Sequence, residues 1–256
     1  MPMPATFSLD GKIVLVSGAS RGIGEAGARL LAAHGAHVIV SSRRIESCEA
    51  VAQSIRADGG SAEALACHIG EPASIEAAFA AIDARHGGLD VLVNYAAANP
   101  YFGPIVDTDA GAFQKTIDVN VRGYFLMSQA AARRMAARGG GSIINVASVN
   151  GVVPGAGQGI YSISKAAILS MTKAFARECA PQGVRVNALL PGLTETKFAG
   201  ALINDKAILA QALGHIPLGR AADPAEMAGA LLFLASSASS YTTGAWLAVD
   251  GGYLTV

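Results

Sequence analysis

The sequence predicts an α/β fold: a parallel, doubly wound sheet of seven strands with helices on both faces. Three features predict it. Short β-branched runs alternate with Ala-rich helical stretches along the whole chain. The strands are nearly all apolar, as strands covered on both faces are. A glycine-rich turn joins the first strand to the first helix, where sheets of this class hold a nucleotide phosphate.

The elements follow in order. The strand Ile13–Val16 leads through the glycine turn into a helix over Gly24–His34. A strand at Val38–Val40 is followed by a helix over Ile45–Asp58, and a strand at Ala64–Cys67 by a helix over Ser74–His86. Val91–Val93 forms the fourth strand, and a long helix covers Asp109–Arg138. The stretch "ARGGGS", Ala137–Ser142, turns that helix into the strand Ser142–Val146, glycine supplying positive φ. A helix over Tyr161–Ala180 precedes the strand Val184–Leu189, and a helix over Pro224–Ala235 precedes the last strand, Trp246–Val249. Crossovers between parallel strands are right-handed. No composition break or fixed repeat divides the chain, so residues 1–256 read as a single domain. The segment at about 191–220 is longer than an ordinary connection and lies after the sixth strand, at the ligand-binding edge of such sheets. It reads as a substrate lid.

Composition sets further bounds. Of 256 residues, 52% are hydrophobic and 15% charged, enough apolar material for a large core. Nineteen basic residues balance nineteen acidic ones, so no global field draws the chain to nucleic acid or to an anionic membrane. Cys48, Cys67 and Cys179 are odd in number and far apart, which argues against a disulfide framework or a cysteine metal site; no metal is expected. The opening "MPMPATFSLDGK" is not expected to be a signal peptide, nor the ending "YLTV" a peroxisomal or retention address. Met227–Ala235 is too short an apolar run to span a bilayer. A cytoplasmic location is expected.

Gly18, Gly22 and Gly24 give G-x-x-x-G-x-G, with Ser20, Arg21 and Ile23 between them. Glycine allows close backbone approach, and the free N–H groups and dipole of a helix start favour a pyrophosphate. An acidic residue at the end of the second strand would hold the adenosine 2′-hydroxyl. Here Ser42 stands there, followed by Arg43 and Arg44. That pattern predicts NADP(H) as the preferred cofactor, with NAD(H) as the alternative. Arg43 is read as a phosphate ligand, Arg21 as a second group within reach, and Arg44 as a solvated residue.

"YSISK" places Tyr161 and Lys165 one helical turn apart on a common face. A phenol with pKa about 10 is a poor base at neutral pH. A neighbouring ammonium would favour its ionised form. Ser148, after the fifth strand, would hold a carbonyl oxygen as charge develops on it.

With these residues in place, the chain resembles the short-chain dehydrogenase/reductase family over nearly its whole length. The matching stretches are "SGASRGIG", "NYAAAN", "DVNVRG", Ser148, "YSISK", "VRVNALLPG" and "VDGG". The resemblance implies a Rossmann-type fold and a catalytic tetrad of Asn120, Ser148, Tyr161 and Lys165. Tyr161 would exchange a proton with the substrate oxygen, Lys165 would also hold the nicotinamide ribose, and Asn120 would hold a water leading to solvent. Asn94, Ala96, Pro191, Gly192, Thr194 and Thr196 would line the cofactor, and Ile69 and His68 its adenine end. The family's acidic residue at the adenine amine is replaced by His68, read equally as an adenine contact or as a capping or surface residue. Tyr95 and Ala97 also depart from the family pattern.

"NPYFGPI" resembles the NADPH-dependent carbonyl and retinal reductase branch. Tyr101, Phe102, Val149, Asn150, Val153, Leu193, Phe198 and Leu202 are the candidate pocket walls. They suit a small, neutral, fairly apolar ketone, aldehyde or alcohol. A homotetramer is implied by the resemblance, with Trp246 and the apolar C-terminus as interface or core. An NAD-dependent secondary alcohol dehydrogenase and a non-catalytic dinucleotide-binding regulator are the competing readings.

Overall fold

The computed structural model describes residues 7–203 and 205–255, apart from the side chains at positions 201, 202 and 208. Seven parallel strands form one sheet in the order β3-β2-β1-β4-β5-β6-β7. They are β1 Ile13–Ser17, β2 His37–Ser42, β3 Ser61–Ala66, β4 Val91–Asn94, β5 Gly141–Val146, β6 Val184–Pro191 and β7 Trp246–Val249. The helices are α1 Gly22–Ala33, α2 Ile45–Ala57, α3 Pro72–His86, α4 Ala110–Thr116, α5 Tyr124–Ala137, α6 Gly159–Cys179, α7 Gly200–Ile203, α8 Lys206–Leu213 and α9 Ala228–Ala235. The expected class and strand count therefore hold, with differences at element ends. β3 begins at Ser61 rather than Ala64, because pairing with β2 starts at His37↔Ser61. Cys67 lies just beyond it.

Strand side chains alternate between the two faces, and each face has its own core. Val14 and Val16 of β1 and Val38 and Val40 of β2 pack with Leu31 of α1, Ile55 of α2 and Leu231 of α9. Leu15 and Ile39, from the same two strands, pack on the other face with Phe79 of α3, Met127 of α5 and Ile168 of α6. Each such aliphatic side chain contributes about 1.5–3 kcal/mol relative to exposure. Strand order reverses between β1 and β4, which opens a crevice at the carboxyl edge of the sheet.

One expected element is altered in a way that matters for the site. The helix read as continuous over Asp109–Arg138 begins at Ala110, after Asp109 has capped it by accepting from the Ala112 N–H. It then winds through a π-helical segment, Ile117–Gly123, before resuming as α5. Such segments insert an extra residue into the helical spiral and recur at functional sites. Gly123 closes the segment where a Cβ would stand 2.5 Å from the Ile69 carbonyl oxygen.

After β6 the chain leaves the sheet and returns. The base of this excursion is pinned by backbone bonds, Glu195 N–H to Ala222 O and Ala222 N–H to Leu193 O, both 2.9 Å. Its far end runs against Gly251 and Gly252, whose added Cβ atoms would each meet Ile216 or Pro217 at 2.8 Å. Both glycines have positive φ. This is what "VDGG" does in three dimensions. Among the described residues, no helix is long and apolar enough to cross a membrane.

Candidate active site

The glycine turn sits at the switch point between β1 and β4. Gly18 has φ +72°, and a Cβ there would stand 2.7 Å from the Ala96 backbone nitrogen. A Cβ on Gly24 would stand 2.5 Å from the Gly18 carbonyl oxygen and 2.8 Å from the Tyr95 ring. Both positions must therefore be glycine for the turn to fold back onto β4. Gly22, with φ +58°, faces Thr196 across the crevice, Thr196 Cγ2 lying 3.3 Å from its added Cβ. No side chain caps α1, so the helix start presents its N–H groups to the crevice. Arg21 and Arg43 are exposed at the same edge and form no ion pair among the described residues. Two buried polar atoms at the strand ends, Ser41 Oγ and Asn94 Oδ1, lack a hydrogen-bond partner among the described residues. This cradle, with free cations beside an uncapped helix start, fits a dinucleotide. Ser20 lies within the turn, and Ile23 is buried in the first turn of α1.

The reacting groups come from β5 and α6. Ser148 follows β5, and its hydroxyl accepts from the Asn150 N–H at 3.1 Å. Tyr161 and Lys165 project from the first turns of α6, and both are buried. Lys165 Nζ lies 5.5 Å from the Tyr161 ring centroid and 5.4 Å from that of Tyr124. It donates to the Val146 carbonyl at 2.7 Å, which also accepts from the Tyr124 hydroxyl at 3.2 Å. The expected pair thus exists, but its electrostatics differ from expectation. Burial raises the Tyr161 phenol well above its ordinary pKa, and the Ser148 hydroxyl only partly opposes this. Burial also pulls Lys165 down to about 7. For both groups burial is the largest cause of the shift. The phenol rests protonated, ready to give a proton rather than take one.

Asn120 lies in the π-helical segment, with its amide committed to protein partners. Oδ1 accepts from the Ala98 N–H at 2.8 Å, while Nδ2 donates to the Ala98 carbonyl at 2.9 Å and to Ser164 Oγ at 3.0 Å. Ser164 in turn donates to the Tyr161 carbonyl at 2.7 Å. Asn120 therefore ties the chain after β4 to the backbone of the tyrosine. Both amide hydrogens are used, so a bridging water could reach only a remaining lone pair of Oδ1.

The other cofactor candidates divide. Pro191 ends β6, and Gly192 packs against Asp250, where a Cβ would stand 2.7 Å from Asp250 Cα. Thr194 is buried, its hydroxyl donating to the Gly192 carbonyl at 3.1 Å. Thr196 caps the next turn by accepting from the Ala199 N–H. Asn94 points into the sheet, donating to Asn145 Oδ1 at 3.0 Å and Ser128 Oγ at 3.1 Å; its amide nitrogen serves the sheet rather than the crevice. Ser42 Oγ lies 3.0 Å from Cys48 Sγ. His68 Nδ1 accepts from the Gly70 N–H at 3.1 Å, which closes its own turn and leaves Nε2–H as a donor. The ring then has no acceptor for an adenine amine, and Nε2–H could meet only an acceptor such as an adenine ring nitrogen. Ile69 is buried beside it.

Sequence reasoning passed over Ser41 and Ser164. Ser17 Oγ accepts from the Tyr95 and Ala96 N–H groups at 3.1 and 3.4 Å, so it shapes the crevice floor. The only sequence signal for these serines was a polar residue at the end of an apolar strand or one helical turn from the tyrosine. Of the pocket walls, Phe198 is set against the catalytic candidate, its ring centroid 5.7 Å from that of Tyr161. Phe102 and Val153 are exposed and Val149 is buried. Gly103 pairs with Gln158, bringing the two wall loops together. The Leu202 side chain lies outside the described residues.

A parallel doubly wound sheet with a dinucleotide cradle, and a serine, tyrosine and lysine at its carboxyl edge, defines a nicotinamide-dependent oxidoreductase acting on carbonyl or alcohol groups. A family model described as enoyl-(acyl carrier protein) reductase matches residues 18–254. The rabbit (Oryctolagus cuniculus) dehydrogenase/reductase SDR family member 4 is 40% identical over 244 residues, which cover 95% of this chain and 94% of that one. A 3-oxoacyl-(acyl-carrier-protein) reductase from Vibrio cholerae is 40% identical over 246 residues, covering 96% of this chain and 98% of its own. Among solved structures, a gluconate 5-dehydrogenase from Burkholderia cenocepacia, in complex with NADP and tartrate, superposes with a TM-score of 0.94 at 35% identity, covering 98% of both chains. The chain belongs to the short-chain dehydrogenase/reductase family.

Proposed function

We propose that the chain is an NADP(H)-dependent reductase of small, neutral, fairly apolar ketones or aldehydes, with Tyr161 as its acid. The observation that carries this reading is the buried Tyr161, its phenol pKa raised by burial, beside Ser148 and with its ring centroid 5.5 Å from Lys165 Nζ. The bound nicotinamide would supply the hydride. Ser148 orients the substrate oxygen and Tyr161 donates its proton to that oxygen as negative charge develops there. Lys165 then faces a phenolate, and an amine with pKa about 7 is placed to take up the compensating charge. Asn120 acts through Ala98 and Ser164 to hold the tyrosine backbone.

The NADP preference rests on Ser42 in place of an acid and on Arg21 and Arg43, which form no ion pair among the described residues. The apolar walls Phe102, Val149, Val153 and Phe198 favour neutral substrates over hydroxy acids. The segment at about 191–220 serves as the lid, carrying Phe198 to the tyrosine. A homotetramer in the cytoplasm belongs to the same reading. It is supported by the half-exposed Trp246 and Leu247 on edge strand β7 and by three free cysteines.

The test is a panel of ketones, aldehydes, alcohols and sugar acids assayed with NADPH and NADH, for the parent protein and Tyr161→Phe. The expected outcome is fastest turnover with NADPH on apolar carbonyls. Tyr161→Phe should lose turnover by about 10²–10⁴-fold, the typical worth of a positioned acid, while NADPH affinity stays within about three-fold. Preferred oxidation of sugar acids, or an active Tyr161→Phe, would overturn the assignment.

A further inference from the structure

A second cluster lies at the opposite edge of the sheet. His37 opens β2, Glu63 lies on β3 and His86 ends α3. β2 and β3 run parallel with His37 opposite Ser61, so His37 and Glu63 share a sheet face. Helix α3 covers that face and brings its last residue back to the amino edge. The glycine cradle and the catalytic candidates all lie at the carboxyl edge.

The geometry of the cluster is that of a ligand set. One nitrogen or oxygen from each of the three side chains lies within 4.8 Å of the others. His86 Nε2 and Glu63 Oε1 are 3.1 Å apart, and the two imidazole centroids 4.8 Å. His37 Nδ1 is held 2.7 Å from Ser61 Oγ. Its Nε2 is shut off from solvent and has no hydrogen-bond partner among the described residues. Neither tautomer cures this: Nε2 is either a lone pair without a donor or an N–H without an acceptor. A nitrogen fixed through its neighbour by a hydroxyl, with its own lone pair unanswered, is how metal-binding histidines are oriented.

We propose that His37, Glu63 and His86 form a binding site for a divalent transition-metal ion, Zn²⁺ foremost, which ties the edge strand β3 to β2 and α3. Two imidazoles and a carboxylate, with water as fourth ligand, match zinc, while the all-oxygen shells of Mg²⁺ and Ca²⁺ do not. Bond lengths of about 2.0–2.2 Å require ligand atoms roughly 3.3 Å apart, so a spread of up to 4.8 Å needs to tighten by up to about 1.5 Å. Arg85, which shares Glu63 at 3.3 Å, is half exposed and free to release it. The cysteine spacing had suggested no metal, and three single residues far apart in sequence carry no motif.

The probe is Zn²⁺ itself, titrated into the full-length chain after chelator treatment and followed by calorimetry and thermal melting. One equivalent should bind with micromolar affinity or better and raise the melting temperature. His37→Gln, Glu63→Gln and His86→Gln should each weaken binding by about ten-fold or more and abolish the thermal shift. His215→Gln, at an exposed histidine outside the cluster, should change neither. A Co²⁺-loaded parent should show the intense visible bands of four-coordinate cobalt, a readout that needs no variant to fold. Failure of the parent to take up one equivalent, six-coordinate cobalt bands, or undiminished affinity in the cluster variants would overturn the proposal. Because the site lies across the sheet from the crevice, none of these outcomes depends on the substrate reading.

Discussion

Replacing Lys165 by methionine should make the protein more stable and inactive at once. Lys165 is 2% exposed, forms no ion pair among the described residues, and has one hydrogen bond, to Val146 O. Its pKa falls from 10.5 to about 7 on burial. Below pH 7 both folded and unfolded chains carry the proton, and the fold bears the whole cost of burying the charge. Between pH 7 and 10.5 only the unfolded chain keeps the proton, so stability rises with pH. Above that window the cost is gone. The full cost is about 5 kcal/mol, of which about 3 kcal/mol is relieved between pH 6 and pH 9. Methionine fills a similar volume and loses one hydrogen bond, worth about 1 kcal/mol. The Val146 carbonyl keeps its Tyr124 partner. Lys165→Met should therefore exceed the parent by roughly 4 kcal/mol at pH 6, a gap that narrows by about 3 kcal/mol at pH 9. Urea denaturation followed by circular dichroism at both pH values, without nucleotide, measures it. A gap that does not change with pH, or a variant less stable than the parent at pH 6, would refute a lysine whose charge is costly to bury.

Two further outcomes probe the crevice. Arg43→Ala should raise the KM for NADPH by about 10–100-fold, the worth of one or two charge-assisted hydrogen bonds, and leave that for NADH unchanged in steady-state assays. Gly18→Ala places a methyl group 2.7 Å from the Ala96 nitrogen at a φ of +72°. It should abolish nucleotide binding in fluorescence titrations and lower the melting temperature by several degrees.

Much of the fold was legible because its signals are local. Alternating β-branched and Ala-rich runs, and glycines at strand ends, report backbone preferences that each segment carries by itself. The ends were less legible. β3 starts three residues early because pairing with β2, not the propensity of "SAE", sets its first residue. The π-helical segment was invisible, since "IDVNVRG" has no composition that distinguishes it from the α-helices on either side. In the site, the four-residue spacing of Tyr161 and Lys165 put them on one face of a helix. The turn that His68 closes with the Gly70 N–H was not legible, because it depends on which ring nitrogen faces that N–H.

The amino-acid order by itself determined the doubly wound class, the glycine cradle and the pairing of phenol with amine, all of which follow from dihedral preferences and helical periodicity. Tertiary structure decided the energetics of that pair. Desolvation is set by everything packed around a group, and here burial raises the phenol and lowers the amine to about 7. Tertiary structure also brought His37, Glu63 and His86 together. Strand pairing and the return of a helix make neighbours of residues that have no pattern along the chain.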